Sequence, residues 1–249
     1  MGLDQWGEVA IVAHELRSPL AAVRVAAEIL REEIDQVDVL DVEQSRKMAQ
    51  MLHRGALWLR QLVDNLACLE AARTGALARD LQALDLRDVT RGIVPVVAPL
   101  FAAKGQRLEI LAPRCLPRVA ADRQQLGQVC VNLLANASKF SPSASMIRLR
   151  LTHLGGHVRV SVEDRGPGIP AGSAAHLFDP FYQAPLPTAP EQRGVGLGLA
   201  IVKAIILAHG GSVGVANRCG GGARVWFELP RLSESATAEA SGTMVLEGG

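Results

Sequence analysis

The chain has 249 residues, with 26 Lys and Arg against 25 Asp and Glu, so its formal net charge is +1. That balance excludes a protein that coats nucleic acid, because phosphate contacts need a concentrated basic face. Hydrophobic residues make up 49% and charged residues 20%, which suits a packed core and excludes a mostly disordered chain. Aromatics are only 4%, so the core must be aliphatic.

Roughly the first seventy residues read as two helices. Val9, Val12, Leu16, Leu20, Val23, Ala27, Leu30, Ile34 and Val37 follow at steps of three or four, the period of a buried helix stripe. Pro19 falls inside this run, so a kink is expected there. The acidic stretch Asp35 to Asp41 reads as a turn. Ala49, Leu52, Ala56, Leu59, Val63, Leu66 and Leu69 then repeat the spacing, and Gly75 behind Arg73-Thr74 suits a helix C-cap. Such a hairpin leaves an apolar face uncovered, so two copies are expected to associate as a four-helix bundle.

From about Leu84 the pattern changes. Ile147, Leu149 and Leu151 alternate with Arg148 and Arg150; after Gly155-Gly156, Val158, Val160 and Val162 alternate with Arg159 and Ser161. This is a half-buried hairpin. A second one is read in Gly211 to Val215, the Gly220-Gly221-Gly222 turn and Val225 to Leu229. Helical runs lie between, at Asp122 to Ala137 and Leu197 to Ala208. Helices mixed with antiparallel hairpins predict an α/β sandwich. The fold class is therefore α+β: a helical hairpin over residues 1–72, a linker over 73–83, a sandwich over 84–231, and a small, polar tail over 232–249 read as disordered.

The four cysteines (Cys68, Cys115, Cys130 and Cys219) form no C-x-x-C pair and have no histidine at metal-ligand spacing. They read as reduced thiols of a cytoplasmic protein. The apolar stretch Leu199 to Ala208 is interrupted by Lys203 and is half the length of a membrane span. No signal-peptide pattern opens the chain, so a cytoplasmic protein without a span is expected.

Four constellations carry chemistry. His14 lies two residues before Leu16, a rotation of roughly 200° that turns it away from the apolar stripe. A lone exposed histidine is ordinarily a surface residue. Here Glu15 follows at once and Pro19 comes five later, and a carboxylate beside a neutral imidazole can accept its ring proton during nucleophilic attack. Next, Asn132 and Asn136 share a helix face with Lys139 beyond them. Amide oxygens suit Mg²⁺, and the lysine suits phosphate. The bland alternative, a solvated polar face, is weakened by Val129, Leu133 and Leu134, which bury most of that helix.

The third constellation is Asp164-Arg-Gly166-Pro-Gly168-Ile169, directly after a strand. Its glycines allow close approach of a flat ligand, and the aspartate can accept from an exocyclic amine. The fourth is Gly194-Val195-Gly196-Leu197-Gly198-Leu199, a glycine-rich loop opening a helix whose free N–H groups suit phosphate. A dinucleotide fingerprint needs G-x-G-x-x-G, a preceding strand and a later acid; none is present, and no Walker A lysine follows.

In this order the residues resemble a bacterial sensor histidine kinase of the two-component type, over roughly residues 5 to 230. His14-Glu15-Leu16-Arg17-Ser18-Pro19-Leu20 resembles the phosphoacceptor H box, and Asn132 to Phe140 the N box. Asp164 to Pro170 resembles the first glycine box, Leu177 to Tyr182 the F box, and Gly194 to Leu199 the second glycine box. The resemblance implies a dimerisation and histidine-phosphotransfer hairpin followed by a GHKL (Bergerat-type) ATP-binding domain, using ATP and Mg²⁺. It implies that ATP phosphorylates His14 and that the group passes to an aspartate of a response regulator receiver domain.

Residue by residue, the resemblance gives Glu15 the role of base and Ser18 that of serving the reverse, phosphatase reaction, although Thr or Asn is commoner there. Asn136 would hold Mg²⁺, with Asn132, Lys139 and Phe140 near the phosphates. Asp164 would contact adenine in a pocket shaped by Gly166, Gly168 and Ile169. Tyr182 to Gly194 would be the ATP lid, anchored by Phe178 and Phe181 and closed by Gly194, Val195, Gly196, Leu197, Gly198 and Leu199. Pro185, Pro187 and Pro190 would stiffen it.

With the H box at residue 14, a truncated core or a separate sensor protein supplying the signal is expected. The competing classes are an adaptor that binds regulators without ATP, against which the intact nucleotide boxes argue, and a non-kinase ATPase. The latter would carry a carboxylate where this chain has Asn132, which favours the kinase.

Overall fold

A computed structural model of the chain describes residues 42–77, 80–185 and 195–232, together with a few helical positions between 21 and 31. His14, Glu15, Ser18, Gly194, most of the proline-rich loop and the tail from 233 onward lie outside the described residues.

Helix α1 runs over Val42–Arg73, with Glu43 in its first turn and Arg73 in its last, charges that favour the helix dipole at both ends. It stops where the sequence indicates: the Thr74 hydroxyl donates to the Glu70 carbonyl at 2.9 Å, and Gly75 takes the left-handed φ of +71°. The buried face keeps Leu66 and Leu69 of the expected stripe but departs from it at Val63. Val63 is 60% exposed, whereas its neighbour Leu62 is 2% exposed. One residue is a rotation of about 100°. Near its C-terminal end the helix presents Leu62, Leu66 and Leu69 to the α/β core, so Leu62 takes the place in that row that the periodicity gives to Val63.

The remainder is a two-layer sandwich. A five-stranded sheet has the order β2-β4-β5-β7-β6, with β2 Arg107–Leu111, β4 Met146–Leu154, β5 His157–Glu163, β6 Ser212–Asn217 and β7 Ala223–Pro230. Both hairpins read from the sequence are present, β4 with β5 and β6 with β7, and β5 joins them by pairing with β7. Strand β2 pairs with β4 in parallel. A small second sheet joins β1 Gln82–Leu84 to β3 Val119–Ala121.

Alternation decides which face is covered. Ile147, Leu149, Leu151, Val158, Val160, Val162 and Phe227 are at most 2% exposed. On this side pack α2 Leu86–Gly92, α3 Val94–Ala102, α4 Arg123–Phe140 and α5 Gly198–Ala208. The opposite face carries the arginines and glutamates, such as Arg148 with Glu109 at 2.6 Å, and partly exposed pairs of this kind contribute little to stability. Ile201, Ile205 and Ile206 of α5 are fully buried, each contributing about 1.5–3 kcal/mol of transfer free energy.

Helix α4 is fixed at both ends. Asp122 caps its start, Oδ1 accepting from the N–H groups of Gln124 at 2.9 Å and Gln125 at 3.1 Å. The Asp122 N–H in turn donates to His209 Nε2 at 3.1 Å, and Nδ1 of that ring lies 2.8 Å from the Ile205 carbonyl, which ties the start of α4 to the end of α5. At the other end, orphan carbonyls are satisfied by side chains from the approach to β2. Lys104 Nζ donates to Ser138 O at 2.8 Å and Lys139 O at 3.0 Å, and Gln106 Nε2 to Ser138 O, Ser141 O and Pro142 O.

Candidate active site

A cavity of about 480 Å³ opens between α4, the end of β5 and the start of α5, within the range of small-molecule sites. Asn136, Lys139 and Phe140 reach it from α4; Asp164, Gly168 and Ile169 from the segment after β5; and Val195, Gly196, Leu197, Gly198 and Leu199 from the run into α5. Three stretches separated in sequence thus meet at one wall. Asn132, Gly166, Phe178 and Phe181 are not among the residues that line it. Val162, Ala223 and Val225 supply an apolar floor, and Asn65 of α1 also lines the cavity. Pattern reading of single motifs did not indicate these last residues.

Asp164 is 7% exposed. Its Oδ1 accepts from the Gly166 N–H at 2.8 Å and the Ala223 N–H at 3.0 Å, while Oδ2 accepts no hydrogen bond from the described residues. Burial pushes its carboxyl above the ordinary carboxylate range, against the pull of the two N–H donors and of Arg218. A buried carboxylate with one oxygen fixed and one open toward a cavity suits an exocyclic amine.

The glycines here have steric reasons. A Cβ on Gly166 would stand 2.8 Å from the Phe140 carbonyl oxygen. Gly168 has φ of +81°, and its Cβ would stand 2.8 Å from Asn217 Oδ1. That asparagine grips the next residue in both directions: Oδ1 accepts from the Ile169 N–H at 2.7 Å and Nδ2 donates to the Ile169 carbonyl at 2.9 Å. Asn217 itself belongs to none of the five boxes.

Where the second glycine run approaches α5, the Phe181 N–H donates to Gly196 O at 3.1 Å and stitches the two described ends of the loop together. Phe181 has a left-handed φ of +63°, a strained setting for a bulky residue. Gly198 differs: a Cβ there would meet only Asn136 Nδ2, at 3.7 Å. Packing alone does not require this glycine, and an α5 start left open beside Asn136 suits close approach of a phosphate.

Lys139 is half-buried, and burial lowers its ammonium below the usual lysine range; its Nζ lies 4.9 Å from the centroid of the Phe140 ring. No group of three or more His, Cys, Asp or Glu able to hold a metal occurs among the described residues. The cavity instead offers the Asn136 amide, and one turn earlier the Asn132 Nδ2 is buried without a partner. A single hard amide oxygen fits Mg²⁺, which keeps several waters and binds substrate phosphates.

The fold and cavity define a nucleotide-binding α/β sandwich joined to a long helix. Residues 121–233 match the family described as histidine kinase-, DNA gyrase B-, and HSP90-like ATPase, and residues 7–75 match the His Kinase A (phospho-acceptor) domain. Sensor protein KdpD of Clostridium acetobutylicum is 30% identical over 222 residues, covering 88% of this chain and 24% of that protein. Alginate biosynthesis sensor protein KinB of Pseudomonas aeruginosa is 32% identical over 227 residues, covering 88% of this chain and 36% of the relative. The crystal structure of full-length ShkA in complex with AMPPNP aligns with TM-score 0.67 and 30% identity, over 91% of this chain and 46% of that one. The chain belongs to the two-component sensor histidine kinases and carries their catalytic core. It spans 24% and 36% of the length of those two curated relatives.

Proposed function

We propose that this chain is an ATP-dependent protein histidine kinase that phosphorylates its own His14 and passes the phosphoryl group to an aspartate of a response regulator receiver domain. The observation that carries the reading is the convergence on one cavity of the open Asp164 oxygen, the Asn136 amide and the Lys139 ammonium. Together they match the amine, the metal-bound phosphates and the negative charge of one nucleotide. The ShkA structure contains AMPPNP, which supports ATP as the ligand. Two copies would associate through the helical hairpin, in the cytoplasm; no described helix is long and apolar enough to cross a membrane.

The protein's own residues do little covalent work. A nitrogen of the neutral His14 ring attacks the γ-phosphorus, the bond from that phosphorus to the β-bridging oxygen breaks, and ADP leaves. Glu15 takes the ring proton that the new P–N bond displaces. Asp164 orients the base and Lys139 offsets phosphate charge. Bound through Asn136, Mg²⁺ would supply charge neutralisation at the phosphates. Ser18 would orient water for the reverse reaction on the regulator.

The test is incubation of the full chain with γ-labelled ATP and Mg²⁺. Acid-labile, base-stable label is expected in the wild type and absent from His14→Ala and Asn136→Ala, with transfer to a receiver domain on addition. Equal incorporation by wild type and His14→Ala would refute the assignment.

A further inference from the structure

Arg218 lies outside all five boxes, yet it reaches the residue assigned to the base. It follows directly on Asn217, the last residue of β6, and begins a turn that closes on itself. The Arg218 N–H donates to Gly222 O at 3.0 Å and the Gly221 N–H to Arg218 O at 3.2 Å. Gly222, at φ of +86°, passes so close to Asp164 that a Cβ would stand 2.1 Å from its carbonyl oxygen. Residue 164 is therefore held by this turn on several sides. Its N–H donates to Ala223 O at 2.9 Å, Oδ1 accepts from Ala223 N, and its carbonyl oxygen accepts from Arg218 Nη1.

The guanidinium is largely enclosed, its side chain 16% exposed, and its Nε lies 3.5 Å from Glu163 Oε2. Glu163 does not consume that charge alone, because Arg224 at 3.0 Å and Arg150 at 3.9 Å also face it. Among the described residues, Arg165 comes next along the same segment and Lys139 lines the same cavity from α4.

We infer that Arg218 is a positioning residue that holds Asp164 as an acceptor-only carboxylate and thereby sets preference for a 6-amino purine over a 6-oxo purine. The inference rests on the nucleotide reading above and names the specificity of that site. An ionised Asp164 Oδ2 can only accept, which matches the N6 amine of adenine and opposes the O6 of hypoxanthine or guanine. A protonated carboxyl would donate to O6 instead. Enclosure of Asp164 favours the proton, while the Ala223 and Gly166 N–H donors and the Arg218 cation oppose it, so loss of charge at residue 218 moves upward the pH at which the preference collapses.

The experiment measures dissociation constants of the full chain for ATP and for inosine triphosphate, with Mg²⁺, between pH 5.5 and 8.5. The variants are Arg218→Met, Arg218→Lys, and Arg218→Gln, which keeps a donor for the Asp164 carbonyl but no charge. In Arg218→Met and Arg218→Gln the midpoint of the ATP pH profile is expected to rise by about one pH unit. Their ATP preference should shrink about tenfold on the acid side, with little change at pH 8.5, and Arg218→Lys should restore the wild-type profile. Equal weakening of both nucleotides at every pH would overturn the inference, as would a wild-type profile in Arg218→Gln. Failure of the wild type to bind either nucleotide would remove the kinase reading and this inference with it. Wild-type ATP binding beside unmoved variant profiles overturns the role of Arg218 alone.

Discussion

Two glycines two residues apart should respond to alanine with opposite signs. At Gly196, φ is +78° and a Cβ would stand 2.7 Å from the Phe181 carbonyl carbon and 2.8 Å from Tyr182 O. These are backbone atoms, so no side chain can swing aside. The left-handed setting costs an alanine about 1–2 kcal/mol. Pushing the strands of the loop apart also weakens the Phe181-to-Gly196 hydrogen bond, about 1 kcal/mol more. Gly196→Ala should therefore cost about 2–3 kcal/mol, or roughly 6–9 °C in Tm for a domain of this size. At Gly198 the only neighbour of a Cβ is Asn136 Nδ2 at 3.7 Å, and the residue opens α5 with ordinary helical φ. Gly198→Ala should leave Tm unchanged or raise it, since alanine exceeds glycine by up to about 1 kcal/mol in a helix. The added methyl stands on the cavity wall, so ATP affinity should fall about tenfold. Differential scanning fluorimetry and calorimetric titration with Mg-ATP read the two effects. A Tm unmoved by Gly196→Ala, or a matching loss of Tm in Gly198→Ala, would refute the steric reasoning.

Three further outcomes follow from other contacts. Asn217→Ala removes both bonds to Ile169, each contributing about 1 kcal/mol at most; ATP affinity should weaken several-fold with a fall in Tm of no more than about 6 °C, and a Tm loss without an affinity change would contradict the clamp. Burial opposes ionisation of Asp122, but N–H donors from Asp80, Gln125 and Gln124 hold its carboxyl below the usual range. A depressed folded value makes its contribution present above the unfolded value of about 3.9 and lost as pH falls through the folded one, so Asp122→Asn should flatten the acid limb of urea stability measured between pH 2 and 6. Cys130 is fully enclosed and its thiol is pushed up to about 12, whereas Cys115 and Cys219 are exposed; a thiol reagent at neutral pH should modify the latter pair quickly and Cys130 only after denaturation.

How much of this was legible in the sequence depends on whether the deciding contact is local. The β4–β5 hairpin was readable because alternation and the Gly155-Gly156 turn lie within one short stretch, and α4 because its apolar spacing follows Asp122. The cavity residues were readable where a motif carried its own chemistry, as with Asn136 and Asp164. Strand β2 was not assigned: Arg107-Leu108-Glu109-Ile110 alternates over only four residues, and its parallel partner β4 lies across α4 in sequence. Leu62 was missed because periodicity reports that a helix has an apolar row but not which neighbour arrives against it. Asn217 and Arg218 show the same limit at the site itself. Each is an ordinary polar residue beside a glycine turn until the sheet places β6 next to β7 and brings that turn against Asp164. A motif scan finds groups that touch the ligand, since their chemistry is constrained by it. The groups that hold those residues in place are constrained only by tertiary geometry, and they become visible once the register of β5 with β7 aligns Glu163 with Arg224.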